Sequence, residues 1–146
     1  AGPGESTYLD YDEQIARHAC SWLQQAAGQE QPPWVLFVSF VCPHPPFVAP
    51  PELYELYPLD QIPMPVQYAP DERPMHLAIA DLRCTMQYNE PFTEEEVRRV
   101  TAAYYGACTH LDLQIGKVLS ALEETGFTDQ KGVGRHTFFG SLSQLL

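Results

Sequence analysis

The chain has 146 residues, 45% of them hydrophobic and 18% charged, with a net charge of −11 and a pI near 4.6. That length suits one ordinary domain, and the composition is that of globular material, not of a disordered tail. The acidic excess argues against nucleic acid or an anionic membrane as partner, and it would repel a sulfated or phosphorylated substrate unless a metal or local Arg or Lys offset it. No run is apolar for long enough to span a bilayer, and the start carries no signal-peptide pattern. The first residue is Ala and not Met, so the true N-terminus is expected to be processed or to lie upstream.

In chain order, residues 1–8 read as a loose leader. Residues 9–27 follow as a helix, with Leu9, Tyr11 or Asp12, Ile15, Ala19, Trp22, Leu23 and Ala26 at helical spacing and Gly28 as the stop. After a connection over 29–33 comes an apolar run from Val35 to Val41, β-branched and aromatic, with Ser39 as its one polar member. Such a run predicts a strand covered on both faces, in the middle of an α/β sheet. Ligands of those sheets bind outside the carboxyl ends of the strands. His44 stands just past that end, between Pro43 and Pro45. The residues alone leave two readings of it open: a catalytic imidazole, or one that only hydrogen-bonds its Pro-rich turn.

Most of the fourteen prolines fall between Pro32 and Pro74, so residues 42–91 predict a long irregular connection with short helical turns over 51–57 and 75–85. A loop of that length is usually functional. The strongest prediction is a helix over 93–125. Thr93 with Glu96 makes a capping box, Val97, Val100, Tyr104, Ala107 or Cys108, Leu111, Ile115, Val118 or Leu119 and Leu122 form the apolar face, and Gly126 ends it. Residues 127–146 bring neither a strand alternation nor a helical face.

The four cysteines, Cys20, Cys42, Cys84 and Cys108, are widely spaced and read as free thiols, which favours a cytoplasmic setting. Asp112, inside the long helix, is expected to be structural. His18, His76 and His110 have no partner at ligand spacing and are expected at the surface or satisfied.

The order of strand, Pro-His-Pro-Pro-Phe turn, Pro-rich loop and long helix resembles the central part of sulfatases, within the alkaline phosphatase superfamily, with choline-sulfatase-like and arylsulfatase members most similar. The matching pieces are 19–23, 33–46, 50–57, 104–117 and 119–126, within an overall span of 9–130. The resemblance implies an α/β fold, a partial alkaline-phosphatase-like arrangement with an incomplete sheet. It implies a sulfuric ester hydrolase acting on a small sulfate ester, with no nucleic-acid or membrane partner, in which His44 is the acid near the leaving-group oxygen. In the complete family enzyme calcium holds the sulfate, and a formylglycine made from Cys or Ser in a Cys/Ser-x-Pro/Ala-x-Arg motif is the nucleophile.

Here no cysteine has Arg four places on, no Asp-Asp pair follows a first strand, and residues 131–146 replace the expected strand ending in Asp-His-Gly or Asp-Asn-Gly. His136 is not preceded by Asp, so metal binding is not carried onto it. The chain therefore reads as an internal slice of a sulfatase domain with a divergent tail, such as a frameshift near Gln130 would produce. It is expected to bind no cofactor by itself and to be inactive alone. The alternatives are a phosphomonoester or phosphonate hydrolase of the same superfamily, and a non-catalytic binding remnant of the fold.

Overall fold

A computed structural model describes residues 1–29, 34–66, 71–73, 75–86 and 92–127. The connection over 30–33, the loop residues Tyr68, Pro70 and Pro74, and the divergent tail with His136 lie outside them. The described residues form two long helices packed side by side, with short elements clasped against the longer one.

Helix α1, Thr7–Ala26, starts where the Ser6 side chain accepts the Leu9 N–H at 3.3 Å. Its buried residues are Leu9, Asp12, Ala16, Ala19, Leu23 and Ala26, an alternation of three- and four-residue steps that gives one narrow seam. Tyr11 and Trp22, expected on that seam, are 50% and 36% exposed and flank it. The leader is not loose. Gly2–Pro3 is strand β1, paired in parallel with β2, Val48–Ala49, and the Gly2 and Gly4 N–H groups donate to Phe47 O and Ala49 O at 3.0 and 2.9 Å.

The Pro-rich connection contains helix α2, Pro51–Tyr54, a 3₁₀ turn over Leu59–Gln61 and helix α3, Leu77–Thr85, close to the two helical turns expected. Proline at the start of α2 lacks the N–H that a first helical turn leaves unpaired, so it initiates a helix there. His76 caps α3: its Nδ1 accepts the Ala78 N–H at 3.2 Å.

Helix α4, Glu94–Glu124, carries the expected capping box between Thr93 and Glu96. Its last turn runs into Gly126 at φ 72°, a left-handed position that a Cβ disfavours. The buried face, however, is rotated from the one predicted. Ala102, Ala103, Gly106, Ala107, His110, Gln114 and Ala121 are buried, while Val97, Tyr104, Leu111 and Ile115 are half-buried beside them. Close helix packing selects small residues at the line of contact and places large ones along its margins. His110, expected to be exposed or satisfied, is 2% exposed, and its Nε2 has no hydrogen-bond partner among the described residues.

Gly106 marks the tightest approach. A Cβ added there would lie 2.7 Å from Ala49 Cβ and 3.3 Å from both Leu53 O and Tyr54 N. Ala49 is fully buried and the other two atoms are backbone, so none can swing away. Gly106→Ala is therefore expected to destabilise the chain by about 1–3 kcal/mol. Adding Ala49→Gly should recover part of that loss; urea midpoints of the single and double variants measure it.

The predicted central strand is the main correction. Residues 34–41 carry no strand pairing, and among the described residues no backbone partner is found for residues 35–40. Leu36, Val38 and Phe40 are half-buried, but Val35 is 96% and Phe37 80% exposed. The period-two alternation is that of a strand, yet a strand exists only against a neighbour, and the described residues supply none. The segment is instead anchored at its ends. Trp34 stacks edge-on between Trp22 and Phe127, at 4.7 and 5.3 Å between ring centroids, and Asp12 holds residues 41 and 42.

Candidate active site

The turn over 41–44 is built from both sides. The His44 N–H donates to Val41 O at 2.9 Å, which closes the turn. The peptide bonds Cys42–Pro43 and Pro45–Pro46 are cis, and Cys42 and Pro43 are buried while His44 is exposed. Immediately after the turn, β2 joins β1 and packs on α4, so the far side of the loop is also held.

The His44 imidazole has two defined contacts. Its Nδ1 lies 2.7 Å from Pro45 O, and because a carbonyl only accepts, Nδ1 carries the proton. The ring of Tyr8 meets it edge-on, 6.1 Å between centroids and 70° between planes. Nε2 has no partner among the described residues, so it is the nitrogen available to give or take a proton at the surface.

Asp12 lies beneath this turn and is 0% exposed. Its Oδ1 accepts the Val41 N–H at 2.8 Å and its Oδ2 accepts the Cys42 N–H at 2.9 Å. Both oxygens are thus engaged by main-chain donors, an arrangement that offsets the cost of burying a carboxylate. Sequence periodicity offered Tyr11 and Asp12 as alternatives for one core position. The one signal favouring Asp12 was its fit to the three- and four-residue steps between Leu9 and Ala19.

Burial pushes the Cys42 thiol up to about 12 from its ordinary 9.0, with the Asp12 carboxylate adding to the shift. Burial pushes His110 below its ordinary 6.5. The signs set a pH window for stability. His110 stays neutral in the fold while an unfolded chain would take up a proton, so its contribution is present above pH 6.5 and lost as the pH falls from there. Cys42 stays protonated in the fold, so its contribution is present below pH 9.0 and lost as the pH rises toward about 12. Urea midpoints across pH 5–11 are expected to form a dome, with His110→Gln flattening the acid limb and Cys42→Ala the alkaline one.

The remaining expected positions do not join His44. Asp112 and His18 are exposed, and all four cysteines are free, with Cys42 buried, Cys84 exposed and Cys20 and Cys108 between. Among the described residues no three His, Cys, Asp or Glu side chains come together in a way that could hold a metal ion. Asp12, the one fully buried carboxylate among the described residues, has both oxygens occupied by N–H donors. The described residues therefore do not fit a calcium ion. No cysteine or serine has Arg four places on, so the chain lacks the formylglycine pattern too.

Comparison with known proteins places these features together. The profile of the sulfatase family matches residues 2–130. Choline-sulfatase of Rhizobium meliloti is 34% identical over 136 residues, covering 88% of this chain and 26% of that protein. Arylsulfatase K of Xenopus laevis is 31% identical over 119 residues, 74% of this chain and 22% of its own length. The multifunctional alkaline phosphatase superfamily protein PehA of Trinickia caryophylli is 28% identical over 137 residues, 79% of this chain and 27% of its own. The chain spans about a quarter of the length of these relatives.

Proposed function

Because the chain belongs to the sulfatase family, we propose that its residues form the leaving-group side of a sulfuric ester hydrolase site, within a partial alkaline-phosphatase-like domain over residues 9–130. His44 is the general acid. In its cationic form Nε2–H passes a proton to the ester oxygen as the S–O bond breaks, so that the organic group departs as an alcohol and not as an alkoxide. Nδ1 stays bound to Pro45 O throughout, which keeps the ring oriented.

The observation that carries the reading is the position of His44: exposed, at the end of the 34–41 segment, with one ring nitrogen tied to a carbonyl and the other open. Calcium and formylglycine, which the family uses, find no place on the described residues. In this reading the nucleophile and the sulfate-holding metal come from sequence beyond this chain.

The test is turnover. This chain alone is expected to release no nitrophenol from nitrophenyl sulfate, because oxyanion and metal stabilisation supply most of the rate in such sites. Turnover by the chain alone would overturn the claim that the site is incomplete. A phosphomonoester or phosphonate hydrolase is the second reading, favoured by the similarity to the multifunctional superfamily protein. Matched sulfate and phosphate esters, given to a full-length protein containing residues 2–130, separate the two by their relative kcat/KM. A non-catalytic remnant would hydrolyse neither.

A further inference from the structure

We propose that Asp12, with Tyr8 one turn before it, is a positioning residue for His44, so that helix α1 sets the tautomer and direction of the imidazole. The inference rests on the reading of His44 as the acid.

An exposed imidazole beside its own backbone has little reason to keep one orientation. The Nδ1–Pro45 O contact spans adjacent residues at the surface, where water competes for both groups. Something must hold the main chain so that this contact recurs, and the sequence around it cannot, since Pro43, Pro45 and Pro46 have no N–H to donate. The support comes from 29 and 30 residues away. Asp12 accepts the N–H groups of Val41 and Cys42, the two residues that begin the turn, at 2.8 and 2.9 Å from a fully buried carboxylate. Val41 in turn accepts the His44 N–H at 2.9 Å. Carboxylate, residues 41–42, turn and imidazole thus form one continuous chain of contacts.

Tyr8 closes it from above. Positions 8 and 12 are four apart on one helix, so they share a face. From that face Asp12 holds the backbone before His44 while the Tyr8 ring meets the imidazole edge-on at 6.1 Å. Two residues of one helix turn therefore constrain both ends of the same unit, main chain and ring. Asp12 touches neither substrate nor reacting atom; its effect on chemistry passes through His44.

The test reads the His44 ring directly, by long-range proton–nitrogen correlation NMR on this chain above the titration range of imidazole. The wild-type ring is expected mainly as the Nδ1–H tautomer. Asp12→Asn keeps one acceptor and loses the other, and is expected to raise the Nε2–H population several-fold in the folded chain; Tyr8→Ala should raise it less. Ala121→Gly, which weakens α4 beyond the point where Lys117 O meets Cys20 Sγ, away from Tyr8 and Asp12, should leave the tautomer unchanged, so a general loss of stability is told apart from lost positioning. An unchanged tautomer in both Asp12→Asn and Tyr8→Ala overturns the proposal, and Tyr8→Ala decides it if Asp12→Asn does not fold. A second arm uses the full-length protein. There Asp12→Asn should lower kcat on an alkyl sulfate with KM little changed, and should add no further loss to His44→Ala. If His44→Ala itself leaves alkyl sulfate turnover intact, the acid reading fails while the tautomer result still reports on Asp12.

Discussion

Replacing His44 by alanine is expected to slow hydrolysis of an alkyl sulfate by about 10²–10⁴-fold in a full-length protein that contains residues 2–130. That corresponds to about 3–5 kcal/mol of barrier. The loss should depend on the leaving group. An alkoxide is strongly basic and leaves poorly without a proton, whereas a nitrophenolate is stable without one. Nitrophenyl sulfate is therefore expected to lose far less than the alkyl ester. The measurement is kcat/KM for both esters in wild type, His44→Ala and His18→Ala, the last an exposed histidine on the outer side of α1 that should change nothing. An equal loss on both esters would mean that His44 supports the fold or binds the substrate and does not deliver a proton.

The second large effect is on stability. Asp12→Ala removes the acceptors of the Val41 and Cys42 N–H groups, one of which belongs to a buried residue and both of which point into the protein. Each donor left without a partner costs about 1–3 kcal/mol, so the variant is expected to lose about 2–6 kcal/mol. A domain with ordinary stability has only about 5–15 kcal/mol in all, so much of the fold's margin rests on this one side chain. Asp12→Asn, which retains one acceptor, should lose roughly half as much. Urea titrations followed by circular dichroism measure both, and a loss below about 1 kcal/mol for Asp12→Ala would show that water replaces the carboxylate at residues 41 and 42.

These two effects meet at one turn. His44 carries the chemistry proposed and Asp12 carries its support, and the two lie on separate elements whose only link is spatial. A substitution in α1 can thus act on the ester site without approaching it. The acidic surface fits the same arrangement: Asp12 is buried and compensated, while Glu94, Glu95 and Glu96 are exposed at the first turn of α4, where the helix dipole favours them. The net charge of −11 therefore says little about the field at His44.

The features legible in the chain are local ones. The limits of α4 and the end of α1 follow from a capping box, glycine stops and apolar spacing, each readable within a few residues, whereas the Ser6 cap that starts α1 at Thr7 lay in the segment read as a loose leader. His44 was legible because a Pro-His-Pro turn after an apolar run is a short motif, and the family resemblance rested on such motifs in order. Five features depend on residues far apart in the chain and could be read only from the fold. Gly2–Pro3 becomes a strand because Val48–Ala49 comes beside it. The phase of α4 is set by how closely Ala49 and α2 approach Gly106, which selects small side chains over the larger ones that a hydrophobicity count prefers. His110 is buried by neighbours that its own spacing does not reveal. Residues 34–41 have the sequence of a central strand but, among the described residues, not its hydrogen bonds, because pairing belongs to two segments and propensity to one. Asp12 is the sharpest case: an acid on a helix has the same local preferences whether it faces water or two buried N–H groups, and only the fold says which.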